Sequence, residues 1–245
     1  MKNVMRKLLI INILSLLLFS CDLTSSGEYF NRARDFEIEG KYEKANALLD
    51  KAIAKNPKFR PALLNRAVNK SILEDYEGAI EDYKALLEFD PDNALALLNL
   101  GNNYKRIKNY EDAISSYNKA LSTEWVIKSV PVGELINDIE TSLKLELDQH
   151  PSFDKDSEYE VNELDVIYER GIAYVLNEQF SHGINDMEKL LEHEYYIADC
   201  HYWIGNAHVG LKDSTNACQS FIKSAKLGLK IAREKIKEHC LKNKN

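Results

Sequence analysis

Six sulfur and imidazole side chains fall in the C-terminal part of the chain: Cys200, His201, His208, Cys218, His239 and Cys240. Thiolates and imidazoles are the ligands zinc prefers, so metal binding is the first chemistry to weigh. Their spacing argues against it, because structural zinc sites present ligands in close pairs on short turns and no C-x-x-C pair occurs here. The chain also has no glycine-rich phosphate loop, no G-x-S-x-G nucleophile elbow and no H-E-x-x-H helix. The expectation is therefore no enzyme, no cofactor and no metal site. With 32 basic against 39 acidic residues the net charge is −7. That sign disfavours a nucleic-acid partner, which needs a basic surface to displace counterions from phosphates. A small-molecule substrate is not expected either.

One more cysteine sits in a different setting. Lys2, Arg6 and Lys7 precede Leu8 to Phe19, an apolar run broken only by Asn12 and Ser15, and Ser20-Cys21 follows. This is the layout of a charged n-region, an apolar h-region and a small residue before a cleavage point. As a helix the run would rise roughly 18 Å against a hydrocarbon core of about 30 Å, too short to span comfortably. The tetrad Leu18-Phe19-Ser20-Cys21 resembles the lipobox of bacterial lipoproteins, although Phe19 departs from the smaller residue usual at its place. The resemblance implies that residues 1–20 are a lipoprotein signal peptide and that Cys21 is lipidated, carrying acyl chains such as palmitate as the first mature residue. Residues 21–27, with Thr24, Ser25 and Ser26, then form a short polar tether. Cleavage there removes three basic residues and no acidic ones, so the exported part is more acidic still. The implied location is the bacterial cell envelope, lipid-anchored on the periplasmic or cell-surface side; inner and outer membrane both remain open. With Cys21 acylated, Cys200, Cys218 and Cys240 are an odd set. One disulfide among them and three free helix-packing thiols both fit.

What positions these residues is a helical repeat. The composition is 44% hydrophobic and 29% charged, with only 10 Gly and 5 Pro, which favours long helices over a many-stranded sheet. Gly40-Lys41-Tyr42-Glu43-Lys44-Ala45, Glu74-Asp75-Tyr76-Glu77-Gly78-Ala79 and Lys108-Asn109-Tyr110-Glu111-Asp112-Ala113 recur every 34 residues. Leu49, Tyr83 and Tyr117 keep the same step, as do Ala52, Leu86 and Ala120, and Pro57 and Pro91 close the first two units. This resembles the tetratricopeptide repeat, a helix, a tight turn and a second helix with a small residue in each so that the two approach closely. The resemblance implies an all-α, right-handed superhelix of helix-turn-helix units. Three repeats are expected within 28–127 and two more divergent ones within 164–231, where Gly183 replaces the usual Ala and His208 and Ser214 replace aromatics.

Residues 128–163 break the register. Ile136, Ile139, Leu143 and Leu147 trace a helical stripe between Pro131 and Pro151, so an inserted helix is expected at 132–148. An acidic loop from His150 to Asn162 follows, and the segment reads either as a spacer or as a functional arm. At the C-terminus Leu229, Ala232, Ile236 and Cys240 form one apolar stripe. It suits a capping helix and tail over 232–245, or alternatively a partner-binding tail.

The resemblance also implies a use. Such repeats bind extended peptides or partner helices along the wall formed by their first helices. The register points Phe30, Leu64, Leu98, Tyr168 and Tyr202 into that groove, with Arg34, Val68, Asn102, Ile172 and Asn206 one turn later. Five apolar or aromatic residues at one such position suggest a greasy groove. The same side chains could instead pack between first helices or be covered in cis by 128–163. The carboxylate clamp of chaperone-binding relatives would fall on Phe30, Arg34, Asn65, Leu95 and Asn99. Two of its basic residues are replaced, by Phe30 and Leu95, and Asn65 and Asn99 read as structural. The expected function is a membrane-anchored interaction scaffold or adaptor that binds a peptide or helix of another envelope protein. The alternative is a structural or self-assembling lipoprotein whose groove is occupied in cis.

Overall fold

Ser, Asp and Asn recur just before the apolar-periodic stretches, and their side chains cap the helices that begin there. The computed structural model describes residues 23–128 and 160–241. The signal peptide, Cys21 and the helix expected at 132–148 lie outside the described residues. Two compact units are present, one ending at Phe59 and one starting at Arg60. The first contains α1 (Ser26–Ile38) and α2 (Tyr42–Lys55). Ser25 caps α1 by accepting from the Glu28 amide at 3.1 Å. Ala33, Ala45, Leu49 and Ala52 are fully buried between the two helices, and the Phe59 ring turns back to meet Phe30 edge-on, centroids 5.5 Å apart.

The second unit holds four further helix pairs. These are α3 (Arg60–Ile72) with α4 (Tyr76–Leu87), α5 (Ala94–Arg106) with α6 (Tyr110–Leu121), α7 (Glu163–Leu176) with α8 (Phe180–Glu192), and α9 (Ile197–Gly210) with α10 (Ser214–Lys226). A last helix, α11 (Lys230–His239), lies against α10. The close approach inside each pair depends on a missing side chain. A Cβ on Gly101 would stand 2.5 Å from the Tyr117 ring, and one on Gly205 would stand 2.5 Å from Phe221. In the α7/α8 pair both contact positions are Gly171 and Gly183, so Gly183 extends the small-residue rule.

Each pair turns through a residue in the left-handed region. Gly40 serves in the first unit, and Glu74, Lys108, Glu178 and Lys212 take the same phase in the second, with φ between 59° and 63°. A side chain there costs about 1–2 kcal/mol, and the following residue offsets part of it by capping the next helix. Asp75, Asn109 and Asp213 accept from the amides of Gly78, Asp112 and Asn216. Lys41 and Gln179 at the equivalent place make no side-chain cap.

The expected acidic loop ends differently from the sequence reading. Val161–Asn162 is a short strand, β2, paired in parallel with β1 (Val126–Ile127), and Asn162 caps α7 through the Leu164 amide at 2.8 Å. Val161 is apolar and buried, which is why the chain turns inward before the acidic run would end. The strand pair joins the two ends of the intervening segment, and α6 packs directly on α7. Stacking therefore continues across the break in register. Lys105 on α5 pairs with Glu169 on α7, and Arg170 donates to Asn118 on α6 at 2.8 Å.

At the C-terminal end Ala232 is buried, Ile236 is half-buried, and Cys240 at the end of α11 is disulfide-bonded to Cys218 on α10. Cys200 remains free and buried. Among the described residues no helix is long and apolar enough to cross a membrane.

Candidate functional site

The first helices of the second unit, α3, α5, α7 and α9, carry most of the residues singled out in the sequence. Leu98, Tyr168 and Tyr202 are half-buried, as are Val68, Asn102 and Asn206. Leu64 and Ile172 are buried and contribute to the core. They are corrections to a fully open groove: helical register fixes the side a residue faces, while the distance to the next first helix fixes how much of it stays exposed. In the first unit Phe30 is likewise buried, against Phe59, whereas Arg34 is exposed.

Between α3, α4 and α5 lies an open cavity of about 340 Å³. Val68, Ile72 and Tyr76 form one side, and Asn99, Asn102 and Arg106 form the other. The last three stand at i, i+3 and i+7 on α5, one face of the helix. Beneath them the polar groups are already committed. The Ser71 hydroxyl sits between Tyr83 and Asn103, 2.8 Å from Asn103 Oδ1, and Asn103 Nδ2 donates to the Asn99 carbonyl at 2.8 Å. The Tyr117 hydroxyl donates to Asn102 Oδ1 at 2.8 Å, which leaves the Asn102 amide hydrogens directed away from that bond. Burial holds the Tyr83 and Tyr117 hydroxyls protonated well above the usual phenol range.

Farther along, Tyr168 packs on Tyr196 at 4.7 Å and Tyr196 on Tyr195 at 4.5 Å, while the Tyr195 hydroxyl donates to Asp165 at 2.7 Å. Tyr202 lies 5.5 Å from Trp203. Asn206 donates back to the Tyr202 carbonyl at 3.0 Å, so its position is set within its own helix.

Two buried ion pairs hold these helices in place. Arg66 donates to both carboxylate oxygens of Asp82, at 2.8 and 2.6 Å, and Lys70 adds a contact at 2.9 Å. Arg170 makes the same fork to Asp186, at 2.8 and 2.7 Å. Equivalent positions in α5/α6 and α9/α10 hold Leu100 with Ser116 and Ile204 with Ser220, and those in the first unit hold Arg32 with Leu48. The signal was readable as Arg and Asp separated by the same interval twice, but it does not stand out until the cross-helix contact is known. The cavity residues do not form a group in the sequence reading: Asn99 falls with Asn65 on the clamp positions, Asn102 on the groove positions, and Arg106 on neither.

The C-terminal sulfur and imidazole groups do not assemble a metal site. Among the described residues no group of three His, Cys, Asp or Glu is placed to hold an ion. Cys218 and Cys240 are consumed by their disulfide, and burial pushes the Cys200 thiol up to about 12. Burial, with Lys223 nearby, lowers the pKa of His201, and His208 Nδ1 stands 3.6 Å from Asp213.

With this geometry in place, the matches to known proteins are informative about fold. Two family profiles, a TPR repeat and a tetratricopeptide repeat, match residues 72–108 and 94–124. They describe repeat units and indicate no enzyme family. No curated protein matches the sequence. Among solved structures, a MamA fragment from Desulfovibrio magneticus RS-1 superposes with TM-score 0.62 at 19% identity, covering 82% of this chain and 94% of its own. YrrB, described as a TPR protein with an unusual peptide-binding site, gives 0.64 at 14% identity over 86% of this chain and 91% of its own. PilW, described as a widely conserved type IV pilus biogenesis factor, gives 0.56 at 17% identity over 87% and 90%. At these identities the likeness speaks to fold, and with the helix pairs and the matched repeats it establishes an all-α tetratricopeptide-repeat solenoid.

Proposed function

We propose that this protein is a lipid-anchored interaction scaffold of the bacterial envelope, binding a peptide or helix of another envelope protein along the first helices of its repeats. The observation that carries the reading is the face of α5. The row of Asn99, Asn102 and Arg106 borders an open cavity walled by Val68 and Ile72, and half-buried Leu98 lies one turn before Asn102 on the same helix. A face that mixes accessible apolar area with uncommitted hydrogen-bonding groups suits a chain segment, whose side chains need burial and whose backbone needs partners. Covering one large apolar side chain contributes about 1.5–3 kcal/mol, so a few such contacts suffice for specific capture.

That the similar fold of YrrB carries a peptide-binding site and that PilW is a pilus biogenesis factor support a protein partner and an envelope setting. The Cys218–Cys240 disulfide supports an oxidising compartment, as an exported protein would meet. Anchoring rests on Cys21 and the preceding sequence. Metabolic labelling with palmitate tests it: incorporation lost in Cys21→Ser supports the anchor, and label retained in that variant contradicts it. For the binding face, Leu98→Glu or Tyr168→Glu is expected to weaken partner capture while the helical melting curve is kept. Unchanged capture would remove this face from consideration.

A second reading, self-association, draws on Leu227, Ile231 and Leu241, large apolar residues exposed near the C-terminal end. A native mass that rises with concentration would favour it.

A further inference from the structure

We propose that the cavity between α3, α4 and α5 is a receptor for an acidic side chain of the bound peptide, with Arg106 and Asn102 holding the carboxylate. The inference rests on the scaffold reading above and specifies the chemistry of its partner. Three observations converge on it.

The first is the hydrogen-bond inventory of the cavity. Ser71, Tyr83 and Asn103 satisfy one another, and Asn102 Oδ1 is taken by the Tyr117 hydroxyl. What remains on the α5 side is donor-rich: the two Nδ2 hydrogens of Asn102 and the guanidinium of Arg106. The Asn99 side-chain amide also makes no hydrogen bond among the described residues. The second is charge. No Asp or Glu lines the cavity, and Arg106 is exposed with no carboxylate pairing it among the described residues. The other arginines of the first helices in this unit are all paired: Arg66 and Arg170 are each forked onto a buried aspartate, and Arg60 stands 3.4 Å from Asp90. In a chain of net charge −7, an arginine left unpaired beside a cavity is a specific attractor for an anion. The third is shape. Arg106 and Asn102 present planar donor groups on one helix face, matching the two oxygens of a carboxylate. Val68 and Ile72 stand opposite, as a wall for the aliphatic part of a Glu or for a neighbouring apolar residue.

A side chain within the peptide is favoured over the peptide's terminal carboxylate. Asn99, one turn before Asn102 and also on the cavity, offers both a donor and an acceptor, the complement of a continuing backbone peptide group.

The test titrates full-length protein in detergent with fluorescent probes that are N-acetylated and C-amidated and carry a Leu-Glu-Leu core. A Leu-Gln-Leu analogue serves for comparison, and a third probe is the Gln analogue with a free C-terminus. The expected result is saturable binding of the Glu probe, about tenfold tighter than the Gln probe at low salt. The Glu preference should vanish in Arg106→Gln and reverse toward a Leu-Lys-Leu probe in Arg106→Glu. A merely structural role for Arg106 would not produce that reversal. Equal affinity for Glu and Gln, a preference that survives Arg106→Gln, recovery of affinity only by the free C-terminus, or no saturable binding at all would each overturn the proposal. Leu98→Glu separates the two levels. Binding that lacks a Glu preference yet is lost in Leu98→Glu refutes the acidic receptor and leaves the scaffold reading standing. Binding indifferent to Leu98→Glu refutes the scaffold reading itself.

Discussion

Removing the carboxylate of Asp186 should destabilise the α7/α8 pair far more than removing the whole ion pair. Asp186 keeps 4% of its side-chain surface and receives both hydrogen bonds of the Arg170 fork, at 2.8 and 2.7 Å; Arg170 itself is 20% exposed. In Asp186→Ser the guanidinium stays in a mostly dry place with Asn118 and the Tyr174 ring beside it but no carboxylate forked onto it, and breaking a buried pair from one side costs about 3–5 kcal/mol. The chain itself supplies the compensating partner. At the same phase Leu100 faces Ser116 and Ile204 faces Ser220, so Arg170→Leu with Asp186→Ser rebuilds a combination this fold already accommodates. The double variant is expected within about 1 kcal/mol of the parent, because a buried ion pair and an apolar substitute of similar volume are often equivalent. The assay is native-state hydrogen exchange of α7 and α8 amides, read locally because repeat arrays need not unfold in one step. An Asp186→Ser cost below about 1 kcal/mol, or a double variant as unstable as the sum of the singles, would refute the reasoning.

Other perturbations follow the same contacts. Cys240→Ser opens a link that spans 22 residues of sequence, and should lower the stability of the α10/α11 segment by about 3 kcal/mol. Hydrogen exchange should show the loss there and leave α3 to α6 unchanged, and reduction of the parent protein should reproduce it. Gln179→Asp supplies the cap that α8 lacks and should raise the stability of its pair by about 0.5–2 kcal/mol in the same measurement. Gly101→Val places carbon against the Tyr117 ring, where even a Cβ would stand 2.5 Å away. It should separate α5 from α6 and cost about 1–3 kcal/mol, seen as a lowered urea midpoint.

The helix pairs were legible because their determinants are local and recur. Ala45, Ala79 and Ala113 mark the close contacts, and Gly40 advertises the left-handed turn. That Glu74, Lys108, Glu178 and Lys212 adopt the same turn was not legible from their types, since nothing in an acidic or basic side chain prefers it. The disulfide depended on where α11 returns against α10, a tertiary fact that an odd cysteine count could not supply. The candidate face was half legible. Register puts Leu98, Val68 and Asn102 on the first helices, but the burial of Leu64 and Ile172 depends on how closely first helices approach. The cavity emerged only when the hydrogen bonds of Ser71, Tyr117 and Asn103 showed which polar groups were spoken for.

The central claim is that the first-helix face captures another protein, and site-specific photo-crosslinking in living cells tests it most directly. A photoreactive residue is placed at Val68 or Leu98, and for comparison at Glu111, an exposed position on the second-helix row. The account predicts one envelope protein joined from both Val68 and Leu98 and absent from Glu111. Equal products from all three positions, or none from Val68 and Leu98, would contradict it.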